Sequence, residues 1–587
     1  MKYEFLFESV RRDGENKADY LFADPVDLIK VYEYALVDEA FAKIERYSRD
    51  HYLAGYFAYE LGYYFEPSSF RIPRKSAYPL IHLAVFKKPK PFSLRNKFFG
   101  RAEGAFSVRN AKFNYKEAGY LSKIQKIKKY ICDGDTYQVN FTGKVDFKFS
   151  GSAFALYEAL KKRQQVSYSA FCRMGDEVVI SLSPELFFRR DGDKISSRPM
   201  KGTIKRGKNI EEDKDNIRSL IHGLKNRAEN LMIVDLMRND LGRICKTGSV
   251  KASRLFDIEK YNTLFQMTST VSGILREGIG YQDIFRNIFP GGSVTGASKI
   301  RTMQIIRELE KGNRNIYCGA LGIIAPGNKA VFNMPIRTLS ISGGRGQMGA
   351  GSGIVIDSDP KQEFKECLLK ADFLTSEQSC FELLETVLWD KKYTFLNAHL
   401  KRLEKSAKYF DFSFDRPRML LELRRLENNF NLGVKYRVRL LLDKDGKVRL
   451  EHCAITADLG RQAGYIAISK YKVDPENKFL YHKTTNRSFY DSQYRLYAAK
   501  GYFDVVFLNI RNEVAEGAIS NIIVQKSRRL YTSPITCGLL PGIFRQHLLN
   551  IGKTREKVLT VGDLRKADKI FACNSVRGLV EVKLKEG

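Results

Sequence analysis

The chain has 587 residues, 43% hydrophobic and 28% charged, which suits two to four globular domains with sizeable cores. A formal net charge of +32 could mark a nucleic-acid binder, but Lys and Arg are interleaved with Asp and Glu and no zinc-finger or RNA-recognition motif is present, so no nucleic-acid partner is expected. With no 18-residue apolar run, no secretory pattern at the start and nine scattered cysteines without CxxC spacing, the reading is a cytoplasmic protein with reduced thiols and no membrane partner.

In chain order, residues 1–115 mix short strand-like segments rich in Tyr and Phe, such as Tyr52 to Tyr59, and read as β structure covered by helices. Residues 116–375 carry the densest motifs. Ser183-Pro184-Glu185 is followed by Arg198-Pro199-Met200-Lys201-Gly202-Thr203, an unusual setting for a solvated lysine. An amine there acts as a nucleophile if its surroundings lower its pKa. Ile217, Leu220, Ile221, Leu224, Ala228, Leu231 and Met232 fall at helical spacing and predict one long helix over 211–238. Glu229 enters its apolar part, where a carboxylate needs a cation or a donor; Lys225 and Arg227 are the local candidates.

Two glycine-rich stretches, 290–299 and 349–353, are both expected to precede helices and to expose N–H groups toward an anion. Arg337 offers a bidentate carboxylate clamp. After Ser358-Asp359-Pro360, a capping residue and a first-turn proline, Glu363 and Glu366 share a helical face. With Glu229 they could hold Mg²⁺ through oxygens and waters. Periodicity is lost at 376–380, read as a short linker that divides a unit of 1–375 from one of 381–587. The second unit opens with a helical stretch from Ala398 to Tyr409, then strands at 435–442 and 447–456 around the turn Asp443-Lys444-Asp445-Gly446. Lys483 follows, and thirty-three residues later Glu516.

The ordered set Gly134 to Asn140, Ser183 to Glu185, Arg198 to Thr203, Glu229 to Leu236, Arg238 to Leu241, Pro290 to Gly296 and Gly349 to Glu366 resembles the chorismate-utilising enzymes over about 117–375. The resemblance implies an α/β (α+β) fold, a two-sheet sandwich with its active site between the sheets. Anthranilate synthases usually carry Ala at the position of Lys201, and isochorismate and salicylate synthases carry Lys at that of Gln138. Gln138 with Lys201 is similar to the component I subfamily of aminodeoxychorismate synthases. That implies Lys201 as nucleophile, Glu185 as general acid/base, and Glu229, Glu363 and Glu366 as Mg²⁺ ligands. Thr203, Tyr317, Arg337, Gly351 and Gly353 would seat chorismate. Gln266 aligns where many anthranilate synthases have His.

The segment 381–580, with His399 to Leu403, Lys483, Glu516 to Ile522 and Leu540 to Arg545, resembles the fold-type IV pyridoxal-phosphate enzymes, built of two α/β subdomains. The resemblance implies pyridoxal 5'-phosphate linked to Lys483, with Glu516 on the pyridine nitrogen. Arg402 and the amides of Ile543 and Phe544 would bind the phosphate, and Asn521 would position the surroundings. The unit starts late for that family, so either the first unit supplies a missing strand or the first strand is shortened. A synthase joined to such a unit implies two consecutive steps, amination of chorismate and loss of pyruvate to p-aminobenzoate for folate. The alternatives are an anthranilate synthase-like enzyme with an aminotransferase-like second unit, or a basic nucleic-acid-binding protein. No glycine-flanked Cys nucleophile with a downstream His-x-Glu pair is found, so a separate glutamine amidotransferase, or free ammonia at high pH, is expected as the ammonia source. A homodimer through the second unit is also implied.

Overall fold

The computed structural model describes residues 2–10, 18–100, 104–375, 381–455 and 464–585. It divides into one unit of Met1–Lys205 with Ile217–Glu377, and another of Arg206–Asn216 with Gln378–Gly587. The expected linker, 376–380, lies outside the described residues.

The first unit is built on a nine-stranded and a ten-stranded sheet. Strands Tyr3–Glu8 and Tyr20–Ala23 belong to the former, and Asp27–Val31, Tyr52–Phe57 and Ile81–Phe86 to the latter. Residues before 116 are therefore interleaved with those after it and form no separate body. Ile81–Phe86 is buried at all six positions, as expected of a strand covered on both faces. Helix Tyr281–Ile288 covers the ten-stranded sheet through Tyr281, Ile284, Phe285 and Ile288, an i, i+3, i+4, i+7 stripe. Phe285 meets Phe57 at 4.0 Å between ring centroids and Phe332 edge-on at 5.7 Å. Each such ring contributes roughly 1.5–3 kcal/mol by leaving water.

The long helix expected over 211–238 is two helices, Ile210–His222 and Leu224–Gly242. Gly223 is extended, with φ −64° and ψ 114°. Its N–H closes the first helix on the Ser219 carbonyl (2.9 Å), and its own carbonyl accepts from Arg227 N–H to start the second (3.0 Å). A periodic apolar pattern runs through such a break because the face it buries changes.

The glycines at 349–353 lie inside strand Arg345–Ile354, not ahead of a helix; that strand pairs along its whole length with Gln138–Gly151. The expected helix begins later, at Pro360, and Asp359 caps it by accepting from Gln362 N–H at 2.8 Å.

The second unit holds a three-stranded antiparallel sheet, Leu383–Trp389, Tyr436–Leu442 and Val448–Ala454, and an eight-stranded mixed sheet. The expected helix is Leu396–Phe410, and the predicted hairpin turn is present with Gly446 at φ +89°. What the first half of the sequence supplies to this unit is not a strand but residues 206–216. Arg206 ion-pairs with Asp213 at 2.5 Å and lies 4.3 Å from the Tyr409 ring. The Gly207 carbonyl accepts from Tyr409 Oη (2.6 Å), and the Lys208 carbonyl meets His482 Nε2 at 3.0 Å. No described helix is long and apolar enough to cross a membrane.

Candidate active sites

Lys201 is the second residue of strand Met200–Lys205. Strand alternation aims it at the glycine face of Arg345–Ile354, where a Cβ on Gly353 would stand 2.6 Å from Lys201 Nζ and 3.3 Å from Gln138 Nε2. Gly353, Gln138 and Lys201 therefore meet at one point. Gln138 is fully buried, and neither its side-chain nitrogen nor its oxygen has a hydrogen-bond partner. Burial and the nearby Lys370 hold the Lys201 amine below its ordinary pKa, against the opposing pull of Glu229, Glu185 and Glu366.

Glu185 is 4% exposed, and burial raises its pKa to about 7 although the Ser293 hydroxyl, the Met200 amide and Lys201 all favour its ionised form. Ser293 Oγ donates to Glu185 Oε1 at 2.5 Å. The 290–299 stretch leads into helix Lys299–Leu309, as expected, and also carries this serine. Gly291 and Gly292 allow contact with Met334 and Leu236, where Cβ atoms would come within 2.2 and 2.4 Å, and that contact delivers Ser293 to Glu185. The sequence offered no sign of that role beyond a hydroxyl in a glycine-rich turn.

Arg337 adopts a left-handed backbone, φ 52°, and its buried Nη1 has no partner. Burial lowers its pKa to about 10. An unpaired guanidinium nitrogen of this kind fits an incoming carboxylate. Tyr317 packs its ring on Gly349, where a Cβ would come within 2.3 Å. Gly349, Gly351 and Gly353 share one strand face and leave space on it for Tyr317, Thr142 and Lys201. Lys370 Nζ donates to the Gly351 carbonyl at 2.7 Å.

Thr203 and Gln266 occupy paired positions on adjacent strands, and Thr203 Oγ1 donates to Gln266 Oε1 at 2.8 Å. Gln266 Nε2 donates to the Gly202 carbonyl at 3.0 Å. The two side chains thus spend these groups on each other and on the strand that carries Lys201.

Glu229 and Glu366 both act electrostatically on Lys201. Glu366 is exposed and pairs with Lys370 at 2.7 Å, while Glu363 accepts from Ser358 Oγ at 2.9 Å. Among the described residues no three acidic, His or Cys side chains are grouped to hold a metal ion. Glu229 and Glu366 are thus near the amine, and the three expected ligands do not form a cage by themselves.

In the second unit, Lys483 is pinned by its backbone. Its carbonyl accepts from Leu384 N–H at 3.0 Å, and Glu382 N–H donates to Thr485 Oγ1 at 2.9 Å. Lys483 opens on a cavity of about 790 Å³ that Glu516, Arg402, Asn521 and Ile543 also line. That volume lies in the range of small-molecule and cofactor sites. Burial, then Arg487 and Arg402, lower the Lys483 pKa to about 7, and burial raises Glu516 to about 7.

Glu516 Oε2 accepts from Leu540 N–H at 3.1 Å. Arg402 donates to both Glu385 oxygens (2.8 and 2.7 Å) and to the Pro541 carbonyl (3.0 Å). Burial alone would raise the Glu385 pKa, but Arg402 and His399 hold it at about 2. Helix Ile543–Asn550 begins at Gly542 with no side-chain cap, so its first N–H groups are available to an anion. Asn521 is committed to that loop: Nδ2 donates to the Leu540 carbonyl at 3.0 Å, and a Cβ on Gly542 would stand 1.9 Å from Oδ1. The residues thus fit a phosphorylated cofactor, with an amine, a buried carboxyl and an uncapped helix end around one cavity. Arg487 and Tyr490 also line it, and both act electrostatically on the Lys483 and Glu516 pair or are acted on by it. Periodicity could not have picked them out, because both follow Lys483 as an ordinary polar and aromatic pair.

Comparison with known proteins matches residues 8–376 to the chorismate binding enzyme family and residues 379–584 to the amino-transferase class IV family. Aminodeoxychorismate synthase component 1 of Bacillus subtilis (strain 168) is 41% identical over 257 residues, 44% of this chain and 55% of that protein. The Escherichia coli (strain K12) protein of the same name is 39% identical over 253 residues, 43% and 56%. Anthranilate synthase component 1 1 of Haloarcula marismortui is 37% identical over 257 residues, 44% and 53%. The chain spans a little over half the length of these curated relatives. The solved anthranilate synthase component I from Streptococcus pneumoniae TIGR4 aligns over 64% of this chain and 90% of its own, with a TM-score of 0.51 at 23% identity, which establishes the two-sheet fold. With well over half its residues inside one family match, the chain belongs to the chorismate binding enzyme family.

Proposed function

We propose that the chain makes p-aminobenzoate from chorismate in two steps, amination in the first unit and loss of pyruvate in the second. The observation that carries this reading is the Lys201 amine, lowered in pKa, beside the glycine floor at Gly353 and the unpartnered amide of Gln138. Lys201 Nζ attacks C2 of chorismate as the 4-hydroxyl departs, and Glu185, poised near neutrality, gives that hydroxyl its proton. Ammonia then adds at C4 and expels the lysine amine. Arg337 holds a substrate carboxylate. Glu229 and Glu366, with Glu363 in support, would hold Mg²⁺ together with the substrate, where the metal supplies Lewis-acid polarisation. The names of the relatives as component 1 support a separate glutamine amidotransferase as the ammonia source.

In the second unit, Lys483, Glu516, Arg402, Asn521 and the amides at Ile543 and Phe544 would hold pyridoxal 5'-phosphate, which supplies an electron sink when bound. Glu516 keeps a proton near the ring nitrogen. Lys483 Nζ, neutral above about pH 7, takes the proton from the amine-bearing carbon as the side chain leaves as pyruvate.

Incubation with chorismate, Mg²⁺, ammonium and pyridoxal 5'-phosphate, followed by chromatography, tests both steps. p-Aminobenzoate with pyruvate is expected, and Lys201→Ala abolishes the amination. Anthranilate as product overturns the role of Lys201. An intermediate that only added lyase converts to p-aminobenzoate overturns the reading of the second unit.

A further inference from the structure

Behind the turn that carries Glu516 lies a second buried carboxylate, one that has no part in the second step as described above. Asp504, on strand Tyr502–Asn509, is 1% exposed. Its Oδ1 accepts from Val505 N–H at 2.8 Å, and its Oδ2 accepts from Ile519 N–H at 3.2 Å and from Ser520 Oγ at 2.6 Å. All three donors are neutral. Taking a carboxylate out of water without a cation beside it costs stability, so packing alone does not account for this residue.

The turn it holds is irregular. Strand Val514–Gly517 pairs with Tyr502–Asn509 through Val506 opposite Gly517 and Leu508 opposite Val514, so three steps on one strand face two on the other. A bulge of this kind re-aims side chains. Here the bulged stretch contains Glu516, which lines the cavity. The chain then reverses: Gly517 N–H donates to the Ser520 carbonyl at 2.7 Å, and Ala518 N–H donates to the Val505 carbonyl at 3.0 Å. Asp504 clamps that reversal. A Cβ on Gly517 would stand 2.3 Å from Asp504 Oδ2 and 2.7 Å from Ser520 Oγ, so position 517 has no room for a side chain while the carboxylate is seated. The same turn presents the Ala518 carbonyl to Arg487, which also lines the cavity.

Charge acts alongside geometry. Glu516 is pushed toward its protonated form chiefly by burial and also by the Asp504 charge, while the Leu540 amide, Arg487 and Lys483 favour its ionised form. Burial raises Asp504 only to about 6, because Ser520 and the backbone N–H groups support the carboxylate, whereas Glu516 lies at about 7. Near neutral pH the two carboxyls divide the work: Asp504 carries the charge and Glu516 keeps a proton.

We infer that Asp504 is a positioning residue for the second step: it aims Glu516 through the 517–520 turn and, as a fixed negative charge behind it, keeps a proton between Glu516 and the ring nitrogen of the bound cofactor. The inference rests on the pyridoxal-phosphate reading of the second unit. Asp504 does not line the cavity, so it acts on the cofactor only through Glu516.

The test uses the full chain loaded with pyridoxal 5'-phosphate enriched in ¹⁵N at the ring, and reads the nitrogen resonance, which moves downfield when a pyridine nitrogen loses its proton. The wild-type resonance is expected at the protonated position at neutral pH. Asp504→Asn keeps an oxygen for Ile519 and Ser520 but removes the charge. It should move the resonance downfield and slow pyruvate release roughly tenfold, the equivalent of one pKa unit, while the chain still melts cooperatively. Ser520→Ala removes a donor that supports the Asp504 carboxylate, so it should move the resonance the same way by a smaller amount; it decides the matter if Asp504→Asn does not fold. A resonance unmoved in the folded variants overturns the role of Asp504, as does a wild-type nitrogen already unprotonated. A resonance displaced in the variants supports it even if the product is not p-aminobenzoate, in which case only the two-step reading falls.

Discussion

Lys201 Nζ occupies the space that a side chain at position 353 would fill: a Cβ on Gly353 would lie 2.6 Å from the nitrogen. The atom displaced is the far end of a flexible side chain, so the fold absorbs the change easily. Gly353→Ala should therefore leave the melting temperature within a few degrees of wild type. It should slow amination of chorismate by roughly a hundredfold, because shifting a reacting atom by about 1 Å costs that much. Parallel thermal melts and initial rates check both halves of this expectation.

Ser293 should set the pH profile of the same step. Its hydroxyl favours the ionised form of Glu185, whose pKa is about 7. As the proton donor, Glu185 must be protonated, so activity falls on the alkaline side as it ionises. Removing the hydroxyl in Ser293→Ala takes away support for the carboxylate and raises its pKa further. The alkaline limb of kcat/KM is expected to move to higher pH. A limb that moves to lower pH would refute Glu185 as the acid.

The amine of Lys483 should titrate near pH 7 in protein freed of cofactor, as burial and the neighbouring arginines dictate. Reductive methylation of the intact chain, followed by peptide mass mapping, gives that midpoint directly. Arg487→Gln removes a positive neighbour, so the midpoint should rise toward the ordinary lysine value of roughly 10.4.

Glu385 lies buried between Arg402 and His399. Glu385→Ala leaves the Arg402 charge without its carboxylate and should destabilise the second unit by about 3–5 kcal/mol. Denaturant unfolding followed at Trp389, the single tryptophan and a buried member of the same strand, reports on this unit alone.

Asp213 should matter to the second unit although it lies far from it in sequence. Its carboxylate binds Arg206 and the Gly207 amide, which present the Gly207 and Lys208 carbonyls to Tyr409 and His482. Asp213→Asn weakens that arrangement, so amides of 206–216 should exchange faster in hydrogen–deuterium exchange of the full chain. The Trp389 unfolding transition should shift to lower denaturant in the same variant.

The candidate groups could be singled out in the sequence. Lys201, Glu185, Lys483 and Glu516 stand in short ordered motifs, and resemblance to known families gave them their expected roles. The capped start at Asp359 and Pro360, helix 396–410 and the hairpin at 443–446 were equally readable, since caps, periodicity and turn chemistry act over a few residues. Loss of pattern at 376–380 suggested a division of the chain there, but it gave no sign that 206–216 groups with the later residues.

Other features depended on contacts between distant segments. Local periodicity passed through Gly223, so the break and the transfer of 206–216 to the second unit could not be read from it. The glycines at 349–353 read as the lead into a helix, but pairing with 138–151 places them inside a strand, where they leave space for Lys201 and Tyr317. Gln266 and Thr203 found each other through strand register, and Ser293 reached Glu185 because two glycines admitted Met334 and Leu236. The pKa values of the two lysines and of Glu185 and Glu516 are likewise set by burial. By itself the sequence determined which groups could react; only tertiary packing decided which of them lose water and stand together, because desolvation and close approach are made by segments hundreds of residues apart.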